Sequence, residues 1–256
     1  MTTQFAIAED GVKLAYERVG SGAAVVMVHG FGSSRSQNWK STGWFSSLTD
    51  AGYMLTAMDC RGHGESDKPH DSGAYGHARM ADDVIRVMDA AEISDGLLLG
   101  YSMGGFIGLR VVAAHPERVV KLALAGVGEH YLHGPRISDP NSRDMLAEAL
   151  LTEHPEELSD PRAKLFRAFA DQPGKDRYAL AACMRAMSPR LDSEILSRIA
   201  QPVLVVCGEK DDIAGAAEPL AAQFRQGSAM TISGRDHMSA VGDRKMRAVV
   251  AEFFSS

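Results

Sequence analysis

Ser102 stands between two glycines, in Gly100-Tyr101-Ser102-Met103-Gly104, and a further glycine, Gly105, follows. A serine hydroxyl becomes a working nucleophile when a base takes its proton and its oxygen is held clear of the backbone. The spacing G-x-S-x-G serves the second need. It places the serine on a sharp strand-to-helix turn, where residues two before and two after it approach too closely for a Cβ atom. The flanks agree with that reading. Gly96 to Leu99 is an apolar run suited to a strand, and Met103 to Ala114 reads as a helix that stops at His115-Pro116. The serine oxygen is then expected at the carboxyl edge of a sheet, beside the free N–H groups of the helix start. The chemistry this serves is attack on a carbonyl through a covalent acyl intermediate.

A second segment can stabilise the charge that such an attack creates. The apolar run Val25 to Val28 leads into His29-Gly30-Phe31-Gly32. A strand followed by H-G-x-G supplies backbone N–H donors beside a nucleophile turn. One donor is assigned to Phe31 and the other to Met103, each worth roughly 3 kcal/mol to an oxyanion. The Phe31 ring is expected to line the substrate pocket, and Tyr101 is the second side chain assigned to substrate binding. His29 is read as a brace for the loop, not as a base.

The elements that must position these groups follow from the rest of the chain. Its 256 residues allow one large α/β domain, or a core carrying an insertion. Eight β-rich runs alternate with helical patterns: Phe5 to Ala8, Lys13 to Val19, Val25 to His29, Tyr53 to Met58, Gly96 to Leu99, Val119 to Ala125, Val203 to Cys207 and Ala229 to Ile232. The first two flank Asp10-Gly11, which reads as a two-residue hairpin. Continuous apolar runs suit a mostly parallel, eight-stranded sheet with helices on both faces. Helices are expected over Met80 to Ala91 and Met246 to Phe254. From Gly134 to Leu196 no strand is legible, and Ser142 to Glu153, Pro161 to Asp171 and Asp176 to Met187 read as helices. The expected organisation is a core of residues 1–133 and 197–256, with a helical lid of 134–196 inserted after the sixth strand.

Composition excludes several classes. The net charge of −6 and the absence of a Lys/Arg run argue against nucleic acid or anionic membrane as a partner. The longest apolar run, Ala23 to Val28, is far short of the ~18 residues that span a bilayer. Met1 to Gly11 carries Glu9 and Asp10 and neither a basic stretch nor an apolar core, so no signal peptide is read there. Three widely spaced cysteines, Cys60, Cys183 and Cys207, do not form a disulfide framework, and a cytoplasmic location is expected. No metal is expected, because close Cys/His ligand spacing is missing. His130 and His133 lie in a Gly/Pro-rich stretch without a third ligand. The partner expected is a small-molecule ester; oligomeric state is not legible.

Taken together, His29 to Gly32, Asp59-Cys60-Arg61-Gly62-His63-Gly64-Glu65-Ser66, Gly100 to Gly105, Gly208-Glu209-Lys210-Asp211 and the late His237 resemble the α/β-hydrolase superfamily, in its lid-bearing esterase, lipase and C–C hydrolase branch. The resemblance covers nearly the whole chain. It implies the α/β-hydrolase fold, no cofactor, and a triad running Ser, acid, His. His237 is the one histidine of nine beyond the seventh strand, and is therefore the implied base. The family's G-x-x-D spacing selects Asp211 as the acid that fixes the imidazole tautomer. Asp212 is the neighbouring rival, and Glu129 marks a second place where relatives put the acid. Asp236 is assigned to loop hydrogen bonding. Asp59, Arg61 and His63 are implied to be structural.

Relatives that open epoxides or displace halides carry Asp in place of Ser102, so the resemblance implies acyl chemistry instead. The leading expectation is a carboxylic ester hydrolase for small to medium hydrophobic acyl groups. Two alternatives stay open: a C–C bond hydrolase of ring-cleavage diketones, and a ligand-sensing protein of the same fold with little turnover. Trp39 and Trp44 are expected near the pocket. Cys60 and Cys207 are read as core, and the apolar lid residues Met145, Phe166, Phe169, Met184 and Met187 as core with some facing the substrate.

Overall fold

The computed structural model describes residues 2–133 and 139–256. Eight strands form one sheet: β1 (Gln4–Ile7), β2 (Lys13–Gly20), β3 (Ala23–Val28), β4 (Tyr53–Met58), β5 (Gly96–Tyr101), β6 (Val119–Ala125), β7 (Val203–Gly208) and β8 (Gly227–Ile232). Their order is β1-β2-β4-β3-β5-β6-β7-β8. The β1–β2 and β2–β4 pairings are antiparallel and the other pairings parallel. Alternation along each strand divides the core into two layers. Val26, Val28 and Leu98 face α2 (His77–Ala90) and α3 (Met103–Ala114). Val25, Met27, Leu97 and Leu99 face α1 (Trp44–Asp50) and the C-terminal helix Arg244–Ser255.

Between β6 and β7 the described residues form helices: α4 (His130–His133), α5 (Pro140–Leu151), α6 (Pro161–Ala170), α7 (Arg177–Arg185) and α8 (Ser193–Arg198). The aspartates ahead of α5, α6 and α7 cap them: Asp139 accepts from Asn141 N–H, Asp160 from Arg162 and Ala163, and Asp176 from Ala179. The Asp139-Pro140 cap starts α5 earlier than apolar spacing alone predicts. The expected lid boundary at Gly134 lies outside the described residues. Three short helices complete the chain: α9 (Glu218–Ala221), α10 (His237–Ala240) and α11 (Arg244–Ser255).

Two expectations are corrected. The β1–β2 connection is a longer turn, not a two-residue hairpin: Ile7 pairs with Lys13, and Ala8 N–H donates to Val12 O. Trp39 and Trp44 do not border the pocket. Both are fully buried and meet edge-to-face at 5.6 Å, and Trp44 donates to the Val241 carbonyl. The Trp44 N–H is thereby satisfied, while Trp39 is held by burial and ring packing with its Nε1 unpartnered. Among the described residues, no helix is long and apolar enough to cross a membrane.

Candidate active site

The turn between β5 and α3 holds Ser102 at φ +52°, ψ −116°. Glu92 is the other non-glycine residue of positive φ among those described. Such a conformation costs about 1–3 kcal/mol and survives only where its surroundings enforce it. Here they do. Ser102 N–H donates to Ala125 O at 2.8 Å, and Ser102 O accepts from Gly105 N–H at 2.8 Å. A Cβ on Gly100 would lie 2.3 Å from Gly104 O, and one on Gly104 would lie 2.0 Å from Val28 O. The two glycines are therefore required by backbone-to-backbone approach, as the motif implies.

His237 and Asp211 arrive from the ends of β8 and β7. Those two exit loops are tied together by Glu209 N–H to Ile232 O at 2.9 Å and Lys210 N–H to Arg235 O at 2.8 Å. Gly208 is needed for this, since a Cβ there would meet Arg235 O at 2.3 Å. Asp236 caps α10 by accepting from Met238 and Ser239 N–H, which fixes where His237 begins the helix. The imidazole then bridges both partners. Its Nδ1–H donates to Asp211 Oδ2 at 2.8 Å, and Ser102 Oγ–H donates to its Nε2 at 3.1 Å. Asp211 also accepts from Ile213 and Ala214 N–H through Oδ1, so its carboxylate is fully engaged and buried. Asp212 is exposed. Glu129 turns to the Ala216 N–H, 3.3 Å away, not to the histidine. Tyr101 lies under the ring of His237, centroids 5.5 Å apart, and its hydroxyl donates to the His237 carbonyl.

The loop after β3 packs on the serine turn, with the Gly30 backbone beside Ser102. Asn38 Oδ1 accepts the Gly30 N–H at 3.1 Å and holds the loop open in shape. Among the described residues, neither the Phe31 N–H nor the Met103 N–H has an acceptor within the protein. His29 braces the segment, Nδ1–H donating to Gly30 O at 2.7 Å while Nε2 accepts from Cys60 N–H at 3.0 Å. The loop after β4 is structural in the same way. Asp59 accepts from Arg35 and Glu65 N–H and pairs with the Arg35 guanidinium, and Arg61 is clamped between Asp83 and Asp10.

Burial pushes His29 down to about 4 and His63 and His77 down to about 3. These rings are neutral when folded, while the unfolded chain binds their protons near pH ~6.5. Their contribution to stability is therefore complete above about pH 6.5 and is lost as pH falls toward about 3. Calorimetric melting midpoints should drop steeply across that window. A midpoint that stays level would overturn the neutral, buried state of all three.

A cavity of about 680 Å³ opens over Ser102 and His237. The core contributes Phe31, Met103 and Phe106, and the helical segment contributes Phe166, Phe169, Met184 and Met187. Met145, by contrast, is exposed. Phe31 meets Phe166 edge-on at 5.7 Å, which joins the loop after β3 to the helical segment. The cavity wall also holds His77 and Arg110, which the sequence reading missed. The available signal was spacing: Met103, Phe106 and Arg110 share one face of α3. Among the described residues, His154, Glu156 and Glu157 form the one cluster of metal-type ligands, all exposed and none lining the cavity.

A family model described as alpha/beta hydrolase fold matches residues 23–170. The solved structure of a hydrolase from Pseudomonas aeruginosa PA01 superposes with a TM-score of 0.83 at 26% identity, covering 100% of this chain and 99% of that one. The esterase EaEST from Exiguobacterium antarcticum superposes at 0.81 with 24% identity over 100% of both chains, a likeness of fold alone. In sequence, the AB hydrolase superfamily protein YisY of Bacillus subtilis (strain 168) is 26% identical across 97% of each chain. The strand order, the glycine-backed serine turn and these likenesses agree, and the chain belongs to the alpha/beta hydrolase fold family as a hydrolase of that fold.

Proposed function

We propose that this protein is a carboxylic ester hydrolase whose nucleophile, base and orienting acid are Ser102, His237 and Asp211. The observation that carries the reading is the unbroken hydrogen-bond run from Ser102 Oγ through the His237 ring to the buried Asp211 carboxylate. In the first half-reaction Ser102 Oγ attacks the ester carbonyl as its proton passes to His237 Nε2. The carbonyl oxygen becomes an oxyanion and accepts from the free N–H groups of Phe31 and Met103. Its collapse breaks the bond to the alcohol oxygen, which takes the proton from His237. Water then gives a proton to His237 and attacks the acyl-enzyme, and the returning proton frees Ser102 and a carboxylic acid. Asp211 keeps Nδ1 protonated throughout, so that Nε2 faces the serine with its lone pair.

In this reading residues 134–196 act as a lid over the nucleophile, with Phe31 and the aromatic and Met side chains of the segment forming the acyl wall. Tyr101 serves as a positioning residue, through its bond to the His237 backbone. The buried, unpaired thiols of Cys60, Cys183 and Cys207 fit a cytoplasmic enzyme. The test is a panel of p-nitrophenyl esters of rising acyl length beside a ring-cleavage dienol-ketone. Turnover of short and medium esters is expected. Turnover of the ketone with none of the esters would replace the proposal with C–C hydrolysis, and fluorophosphonate labelling without any turnover would favour a sensor.

A further inference from the structure

Charge in the cavity runs against the charge of the chain. Arg110, Arg162 and Arg190 line it with Asp212 as the one carboxylate among the described lining residues, in a protein of net charge −6. Arg110 is the most telling of them. It uses a donor on the Pro189 carbonyl, and among the described residues no carboxylate pairs with it. A guanidinium has five donors, so most of its capacity is unspent. Arg143, in α5, has its Nε buried without a partner, and it too has no carboxylate among the described residues. Within electrostatic reach of both arginines is His77, which is 4% exposed, packs on Phe106 at 5.7 Å and has its buried Nε2 unpartnered. Burial, with the charges of Arg110 and Arg143, holds that ring neutral. Arg110 thus lines the cavity beside a neutral ring, and among the described residues no carboxylate pairs with it.

We propose that the cavity end formed by His77 and Arg110 binds a carboxylate on the substrate, making half-esters of short dicarboxylic acids the preferred substrate class. The inference rests on the ester hydrolase reading and deepens it. The geometry sets the length. Met103, whose N–H faces the oxyanion in that reading, and Arg110 lie on one face of α3, about 10 Å apart along its axis. Helical side chains lean toward the N-terminus, and the Arg110 guanidinium sits at the cavity wall on the Pro189 carbonyl. The remaining gap suits an acyl chain of a few carbons. A carboxylate there takes paired, charge-assisted bonds from the guanidinium, and the aromatic wall of Phe106 covers the methylenes between.

The experiment compares mono-p-nitrophenyl glutarate with p-nitrophenyl pentanoate, which have acyl chains of equal length. The wild-type protein should favour the glutarate in kcat/KM. Arg110→Met should reduce the glutarate-to-pentanoate ratio by about tenfold or more, mainly through KM, as expected for a lost charged hydrogen bond. Arg110→Lys should restore part of it. A preference for pentanoate, or a ratio that Arg110→Met leaves unchanged, overturns the carboxylate site while leaving ester hydrolysis intact. Calorimetric binding of glutarate against glutaramide to Ser102→Ala gives a readout without turnover. Glutarate-selective binding that vanishes in Ser102→Ala/Arg110→Met supports the site, even if every ester proves inert and the ester reading fails. Equal binding of the two ligands overturns it.

Discussion

Replacing Ser102 with alanine is expected to lower kcat on a p-nitrophenyl ester by about a millionfold, or about 8 kcal/mol of transition-state stabilisation. In the proposed mechanism the loss is that large because Ser102, His237 and Asp211 act as a unit. Without Oγ, the His237 base has no proton to take, and the N–H groups of Phe31 and Met103 have no tetrahedral oxyanion to hold. What remains is the weaker catalysis of water bound at the same donors. The fold should not suffer. Alanine has the same Cβ as serine, so the strain at φ +52° is unchanged. The backbone bonds that Ser102 N–H donates to Ala125 O and that Ser102 O accepts from Gly105 N–H do not involve the hydroxyl. Thermal midpoints close to wild type, with fluorophosphonate labelling abolished, would complete the picture. Residual turnover within tenfold of wild type would remove Ser102 from the chemistry.

Asp211→Asn should cost about 10⁴-fold in kcat, and the reason is a proton in the wrong place. Oδ1 accepts from Ile213 and Ala214 N–H, and an asparagine oxygen can keep both bonds. Its amide nitrogen then occupies the position of Oδ2, which now accepts from His237 Nδ1 at 2.8 Å. A donor facing Nδ1 forces the proton to Nε2, where it points at Ser102 and cannot accept. The loop stays folded while the base is reversed. Asp212→Asn should change kcat less than about threefold, because that exposed side chain does not meet the imidazole. Steady-state kinetics on both variants decides the matter, and the opposite ranking would move the acid by one residue.

Much of this architecture was legible because its signals are local. Strands buried on both faces read as unbroken apolar runs, so β3 to β7 could be drawn within a residue or two. The β1–β2 turn was misjudged because Asp10-Gly11 supplies turn residues whether the loop is short or long. The helices between β6 and β7 were drawn from apolar spacing, which does not register the aspartate caps that set their starts. Trp39 and Trp44 were placed near the pocket by proximity to Gly32, yet proximity in sequence says nothing about which layer a side chain joins. Trp39 packs on Tyr101 at 6.5 Å and on Trp44 at 5.6 Å, in the core layer on the far side of the sheet from α2 and α3.

The sequence by itself determined the serine turn, since Gly100 and Gly104 are demanded by contacts made within a few residues of Ser102. The resemblance implied the order Ser102, Asp211, His237, and the structure brings those three side chains into one hydrogen-bonded run. Only the tertiary structure decided that Asp211 and not Asp212 meets the ring, because that depends on β7 and β8 exit loops bonding through Gly208 and Arg235. The cavity was decided there too. Its wall joins residues from α2, α3 and the helices beyond β6, whose separation in sequence hides their meeting in space. Arg110 looks like one more polar position on a helix until that packing turns it toward the same cavity as the serine.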